Sequence, residues 1–178
     1  MIAHELVPPP DPVRCCEQLA DLPHRVFLDS AQQGSPLGRY SFLTAEPADM
    51  VQGKGADSAD ALDRIRGLLA SRAAEPIAGL PPFQTGAAGY ISYDWGRTLE
   101  RLPATKYDDL DLADVVFGIY DWVIAWDHGQ GRAWVIARDE KAKDRAMGYL
   151  GRPDRLRQGY GESAEALRAK AERAAPQR

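Results

Sequence analysis

Apolar positions along this chain fall in short runs broken by proline, glycine and polar residues, and the period inside each run sets the element it predicts. Asp11-Pro12 supplies an N-cap followed by proline at the first helical position, predicting a short helix through Ala20 after an extended, proline-rich start. Pro23 closes that region. Arg25-Val26-Phe27-Leu28-Asp29-Ser30, with His24 at its opening, reads as a strand, apolar through its middle. Gln32-Gln33-Gly34-Ser35-Pro36 is turn chemistry, and residues 39–45, Arg-Tyr-Ser-Phe-Leu-Thr-Ala, are rich in strand formers. The two runs predict a hairpin. Between Asp60 and Ala70, Ala61, Ile65, Leu68 and Leu69 recur at helical spacing with arginines opposite.

Residues 76–82 read as a surface linker, and Gly89 to Tyr93 as a strand. Val115 to Trp126 predicts one long apolar strand, bulged at Gly118. Val115, Phe117, Ile119 and Val123 fall on one of its faces, and Val116, Tyr120, Trp122, Ile124 and Trp126 on the other. A strand apolar on both faces needs cover on both. With few strong helical segments to supply it, the expectation is a bare apolar surface and a chain that is marginally stable and prone to associate. His128-Gly129-Gln130-Gly131 turns the strand back into Ala133 to Ala137, and a helix follows from Lys141 to Leu150. From Gly151 onward large apolar residues become scarce. The expected organisation is one domain over 1–150 and a polar linker or tail over 151–178, with an exposed helix around 162–174.

Composition adds limits. With 44% hydrophobic and 27% charged residues in 178, the chain is globular in character. A net charge of -4 with both signs interspersed gives no electrostatic footing for nucleic acid or an anionic membrane. There is neither an apolar run of about eighteen residues nor a basic, hydrophobic start. Cys15 and Cys16 are neighbours, unable to staple distant segments or to complete a zinc site. A reduced cytoplasm is the expected setting.

Candidate chemistry is sparse. Gly86-x-x-Gly89 precedes a strand rather than a helix, which favours close backbone approach over phosphate binding. Asp94, Arg97, Glu100 and Arg101 mix both charges, favouring an ion-paired network over acid–base work. His4, His24 and His128 have no metal-ligand spacing and no neighbouring serine or cysteine in sequence to suggest a nucleophile pair. No residue is assigned a catalytic or metal-binding role. The hairpin would bring Asp29-Ser30 beside Leu37-Gly38-Arg39-Tyr40, a carboxylate, a hydroxyl and an aromatic ring in one area. Such a set can hold an amino acid, or simply cap strand ends.

Four blocks carry a family likeness: Phe27-Leu28-Asp29-Ser30; Gly38-Arg39-Tyr40-Ser41-Phe42 through Ala45-Glu46-Pro47; Gly89-Tyr90 through Tyr93-Asp94-Trp95-Gly96-Arg97 to Leu102-Pro103; and Gly118-Ile119-Tyr120-Asp121-Trp122 to Asp127-His128. In this order and spacing they resemble the amino-terminal domain of component I in the aminodeoxychorismate synthase (para-aminobenzoate synthase) and anthranilate synthase family. The wording of the last two blocks is nearer the aminodeoxychorismate branch.

The resemblance implies an α+β fold with orthogonally packed antiparallel sheets and a few flanking helices. It implies a non-catalytic scaffold carrying part of a tryptophan pocket, which matches by motif to Ser30, Leu37, Gly38, Arg39 and Tyr40. Asp29 stands where anthranilate synthases often have glutamate, one methylene longer. The family's magnesium, chorismate-binding residues and catalytic lysine belong to a carboxy-terminal domain expected to be absent, so no cofactor is expected in this chain itself. The implied partners are a catalytic chorismate-binding domain or chain, a glutamine amidotransferase subunit and, as ligand, tryptophan. The implied pathway is para-aminobenzoate and folate synthesis from chorismate. A stand-alone amino-acid-binding regulatory module and an anthranilate synthase fragment are the alternatives.

Overall fold

A computed structural model describes residues 1–30, 32, 36–103 and 110–152. Among these residues, eight strands and three α-helices run in the order β1 (Ile2–Glu5), α1 (Pro12–Gln18), β2 (Val26–Leu28), β3 (Tyr40–Thr44), β4 (Asp49–Gly53), α2 (Ala61–Ser71), β5 (Gly86–Ile91), β6 (Val115–Tyr120), β7 (Trp122–Asp127), β8 (Arg132–Ala137), α3 (Glu140–Leu150). They form two antiparallel sheets, one of five strands in the order β1-β8-β7-β3-β2 and one of three in the order β4-β6-β5. The fold is α+β, as the family resemblance implied. The expected tail helix around 162–174 and the turn residues Gln33 to Ser35 lie outside the described residues.

The helix starts follow their capping chemistry. Asp11 Oδ1 accepts from Arg14 N at 2.9 Å with Pro12 opening α1, and Asp139 Oδ1 accepts from Ala142 N at 2.8 Å at the start of α3. Helices α1 and α3 cover one face of the larger sheet. Cys15, Leu19, Ala142 and Ala146 pack there against Leu43, Trp122, Ile124, Trp126 and Val135. The other face of the same strands carries Val123, Ala125, Trp134 and Ile136, packed against Phe42, Leu80 and Phe83. Leu80 and Phe83 come from the segment between α2 and β5. Helix α2 turns Ala61, Ile65 and Leu68 onto the smaller sheet, where Val51, Val115 and Ile119 complete a second core with Trp95.

Two expectations need correction here. The run from Val115 is not one strand bulged at Gly118. It is two strands in two different sheets, parted by Asp121 alone. Gly118 serves another purpose: a Cβ there would lie 2.6 Å from the Tyr120 ring, so its absence lets that ring fold back along the strand. The expected bare apolar face is also absent from β7. Every residue of β7 is buried within the chain, because α1 and α3 cover one face and the Leu80–Phe83 segment the other. Trp122 Nε1 is buried with no acceptor among the described residues.

Other differences are smaller. His24 does not open a strand; it turns at φ 50, and its carbonyl accepts from the buried Tyr120 hydroxyl at 2.7 Å. Strand β5 begins at Gly86, three residues before the expected start. Strand β4 was not expected at all. Cys15 is buried, which pushes its thiol up to about 12, so it packs as a small apolar group.

Gly89 sets the sharpest steric limit. A Cβ at this position would sit 2.0 Å from the carbonyl oxygen of Val116 and 2.7 Å from Phe117 Cα, backbone atoms that cannot step aside. The close-approach reading of this glycine therefore holds. Gly89→Ala is expected to destabilise the protein by about 2–3 kcal/mol in urea unfolding, the cost of overpacking. Gly67→Ala, in α2 with nothing within 4 Å, is the control and should stabilise slightly.

Candidate functional site

The strand order places β3 between β7 and β2, and the site lies where these three strands end together. Tyr40 pairs with Asp127, Ser41 with Trp126 and Leu28 with Phe42. Just beyond these pairs, β2 delivers Asp29 and Ser30, while β7 delivers His128. A 3-10 turn at Pro36–Gly38 leads into β3. Gly38 is required in that turn, since a Cβ would lie 2.0 Å from the carbonyl oxygen of Gln32.

An open cleft of about 510 Å³ lies against this end of the sheet, lined by Phe27, Leu28, Asp29, Ser30, Leu37, Tyr40 and Phe42. Its size falls within the roughly 300–1,000 Å³ of small-molecule sites. Of the candidate pocket residues, Asp29, Ser30, Leu37 and Tyr40 therefore share one cleft. Leu37 is 93% exposed, standing at the rim with its apolar surface in water. Gly38 shapes the turn behind it.

Arg39 is directed elsewhere. Its Nε donates to Asp127 Oδ1 at 3.0 Å and its Nη2 to Asp127 Oδ2 at 2.6 Å, a two-pronged pair, and its guanidinium lies 4.9 Å from the centre of the Tyr40 ring. Asp127 is only 3% exposed and also accepts from Gln130 N at 3.1 Å, closing the β7–β8 turn, where Gly131 supplies a φ of 63. The Arg39 hydrogen bonds hold the Asp127 carboxyl below the usual carboxylate range against the opposing effect of burial, and the backbone N–H groups of Gln130 and Gly129 add to that lowering.

The structure also assembles a group that sequence spacing does not reveal. Ser41 Oγ lies 2.9 Å from Asp29 Oδ1, 2.7 Å from His128 Nε2 and 3.0 Å from Ser30 N. No histidine has a serine beside it in sequence; this pairing is made across strands, 87 residues apart. The only signal for it would have been the β3–β7 register.

A serine beside a histidine and an aspartate invites comparison with nucleophilic catalysis, but the bonding runs the other way. The carboxylate can only accept and the Ser30 N–H can only donate, so the hydroxyl proton goes to Asp29. The remaining contact must then be donated by His128 Nε2–H, which leaves His128 no lone pair aimed at Ser41. Ser41 is also fully buried. This arrangement fixes groups in place; it does not activate a nucleophile.

In the cluster at 94–101, one ion pair forms. Arg97 pairs with Asp94 at 3.0 Å within a 3-10 turn, Tyr93–Thr98, whose Trp95 Nε1 donates to the Ser58 carbonyl at 2.9 Å. Among the described residues, no group of three or more His, Cys, Asp or Glu side chains is placed to hold a metal ion. No helix among them is long and apolar enough to cross a membrane.

Comparison with known proteins gives a family. A family model described as chorismate binding enzyme matches residues 23–176. Anthranilate synthase component 1 of Mycolicibacterium smegmatis is 31% identical over 161 residues, covering 83% of this chain and 29% of that protein. Aminodeoxychorismate synthase component 1 of Bacillus subtilis is 30% identical over 125 residues, covering 64% of this chain and 26% of that protein. The crystal structure of anthranilate synthase component I from Streptococcus pneumoniae aligns with a TM-score of 0.49 at 22% identity, covering 82% of this chain and 32% of that one. The chain belongs to the chorismate-binding enzyme family, and it spans less than a third of the length of these relatives.

The Arg39–Asp127 pair makes a pH-dependent contribution. Because the folded carboxyl is held down, that contribution is complete above the ordinary aspartate value of 3.8 and is lost as pH falls through the lower folded value. Asp127→Asn should therefore melt below wild type at neutral pH. The gap should narrow below about pH 4, as followed by thermal melts across pH.

Proposed function

We propose that this chain is the non-catalytic amino-terminal part of component I of a chorismate-aminating synthase, of the aminodeoxychorismate branch, and that it contributes one wall of an amino-acid pocket. One observation carries the reading: β2, β3 and the turn between them bring Asp29, Ser30, Leu37 and Tyr40 to one open cleft. A carboxylate suits an ammonium, Ser30 suits a ligand carboxylate, and Tyr40, Phe42 and Leu28 suit an aromatic side chain. Tryptophan is the ligand with all three features that this reading favours. The chain acts as scaffold, in para-aminobenzoate synthesis from chorismate in the cytoplasm. A catalytic chain or domain supplies the chorismate and magnesium sites, and a glutamine amidotransferase subunit supplies ammonia.

A second reading is a stand-alone amino-acid-binding regulatory module, favoured by the same cleft if it binds ligand unaided. Relatives of both branches match at similar identity, so an anthranilate synthase component with the same scaffold role is the nearest alternative.

Two outcomes are expected. The purified chain, given chorismate, ammonium and magnesium, should form neither aminodeoxychorismate nor anthranilate by chromatography; adding a catalytic-domain chain should restore one of them. Product from the chain alone would refute the scaffold role. Tryptophan should bind the isolated chain only in the millimolar range. A pocket with one wall lacks several polar partners, each worth about 1–3 kcal/mol. Micromolar binding in calorimetry, lost in Ser30→Ala, would instead establish the regulatory module.

A further inference from the structure

We propose that Ser41 and His128 are positioning residues that determine how the cleft recognises the ammonium group of an amino-acid ligand, an inference that rests on the amino-acid reading above. Neither residue lines the cleft. Both act through Asp29, which does.

The case begins with the register. Strand β3 has β7 on one side and β2 on the other, so a residue at its start has neighbours on both flanks. His128, Ser41 and Asp29 thereby form a lateral row across three strands, drawn from parts of the chain 87 and 12 residues apart. All three hydrogen-bonding positions of the Ser41 hydroxyl are used: one donated to Asp29 Oδ1, two accepted from His128 Nε2 and Ser30 N. The row is polarised in one direction, from His128 through Ser41 to the carboxylate.

Burial gives the row its purpose. Asp29 is exposed and would otherwise sample several rotamers, whereas Ser41 is fully buried and fixed by the sheet. The hydroxyl transfers the rigidity of the sheet to the carboxylate beside Ser30 and Tyr40. His128 is anchored in turn: its backbone N donates to the Arg39 carbonyl at 2.8 Å, and the preceding Asp127 is gripped by Arg39. A preorganised acceptor binds an ammonium more tightly than a mobile one, because less freedom is lost on binding. The row should therefore affect ligands with an amino group and leave those without one unchanged.

The test compares L-tryptophan with indole-3-propionate, which lacks only the amino group, by NMR titration of the amide signals of Ser30 and Tyr40 in the full chain. Wild type should prefer tryptophan. Ser41→Ala should weaken tryptophan about tenfold, the worth of a hydrogen bond to a charged group, and leave indole-3-propionate unchanged. His128→Ala should act in the same direction, and His128→Gln, which keeps a donor, should recover most of the preference. The imidazole nitrogen shifts should place the proton of neutral His128 on Nε2. If both ligands weaken equally in the variants, or the wild-type preference survives all of them, or the proton sits on Nδ1, the positioning role is overturned while the cleft reading stands. If neither ligand at millimolar concentration moves the Ser30 and Tyr40 signals of wild type, the cleft reading falls and takes this inference with it.

Discussion

The two sheets are joined through Asp121, and the rest of the structure depends on how that residue is held. The chain leaves the middle strand of the smaller sheet at Tyr120 and enters the middle strand of the larger one at Trp122, with one residue between. A one-residue link has no slack. Arg72, capping the end of α2, reaches Asp121 at 3.1 Å and Asp49, at the start of β4, at 2.6 Å. The backbone N–H of Arg138, just past β8, donates to the Asp121 carbonyl at 2.8 Å. Helix α2, an edge strand of one sheet and the exit of a strand in the other thus meet at one crossing. A guanidinium suits this place because its planar fork can meet two carboxylates at once, whereas a lysine offers a single charged point.

The same strand that starts at this crossing ends at the cleft. From Trp122 to Asp127, β7 carries the clamp at one end and the Arg39 pair, with His128 beyond it, at the other. The β3–β7 register makes the site, since side chains alternate along a strand. A slip of one residue would turn Ser41 away from Asp29 and His128 and present Tyr40 or Phe42 in its place. The fully buried Leu43 and Ile124 pairing in the same ladder opposes such a slip, because it would turn them out of the core they fill beneath α1 and α3. The packing of the core therefore holds the geometry of the polar row.

Much of this was readable in the residues, for identifiable reasons. Capping chemistry marked the start of α1, helical spacing marked α2, and turn residues marked the β2–β3 and β7–β8 connections. Strand β4 was not legible because its sequence, Asp-Met-Val-Gln-Gly, has only Val51 fully buried; its strand character comes from pairing with β6. The crossing at Asp121 was hidden because alternation continues unbroken through it, with Ile119 and Val123 on the same parity although they enter different cores. The candidate cleft residues followed from the hairpin and the family likeness. Arg39 was grouped with them, but its partner Asp127 lies 88 residues away. Ser41 and His128 escaped for the same reason, since contacts between strands distant in sequence leave no local pattern.

The blocks that carry the family likeness are, for the most part, fold chemistry. Gly118 makes room for Tyr120, Tyr120 secures the turn at His24, Asp121 meets Arg72, Trp95 ties its 3-10 turn to Ser58, and Glu46, at φ 51, accepts from the Tyr149 hydroxyl. Any protein built on this scaffold needs these contacts whatever amine it makes. That accounts for relatives named for two different synthases matching at 31% and 30%. Asp29 differs in kind. It is exposed, it packs into no core, and its position is set by Ser41 rather than by the sheet directly. Changing its length or charge would disturb little of the fold but would move a carboxylate that lines the cleft. The residue at this position can therefore vary at little structural cost, while the residues that reveal the family stay bound to the fold.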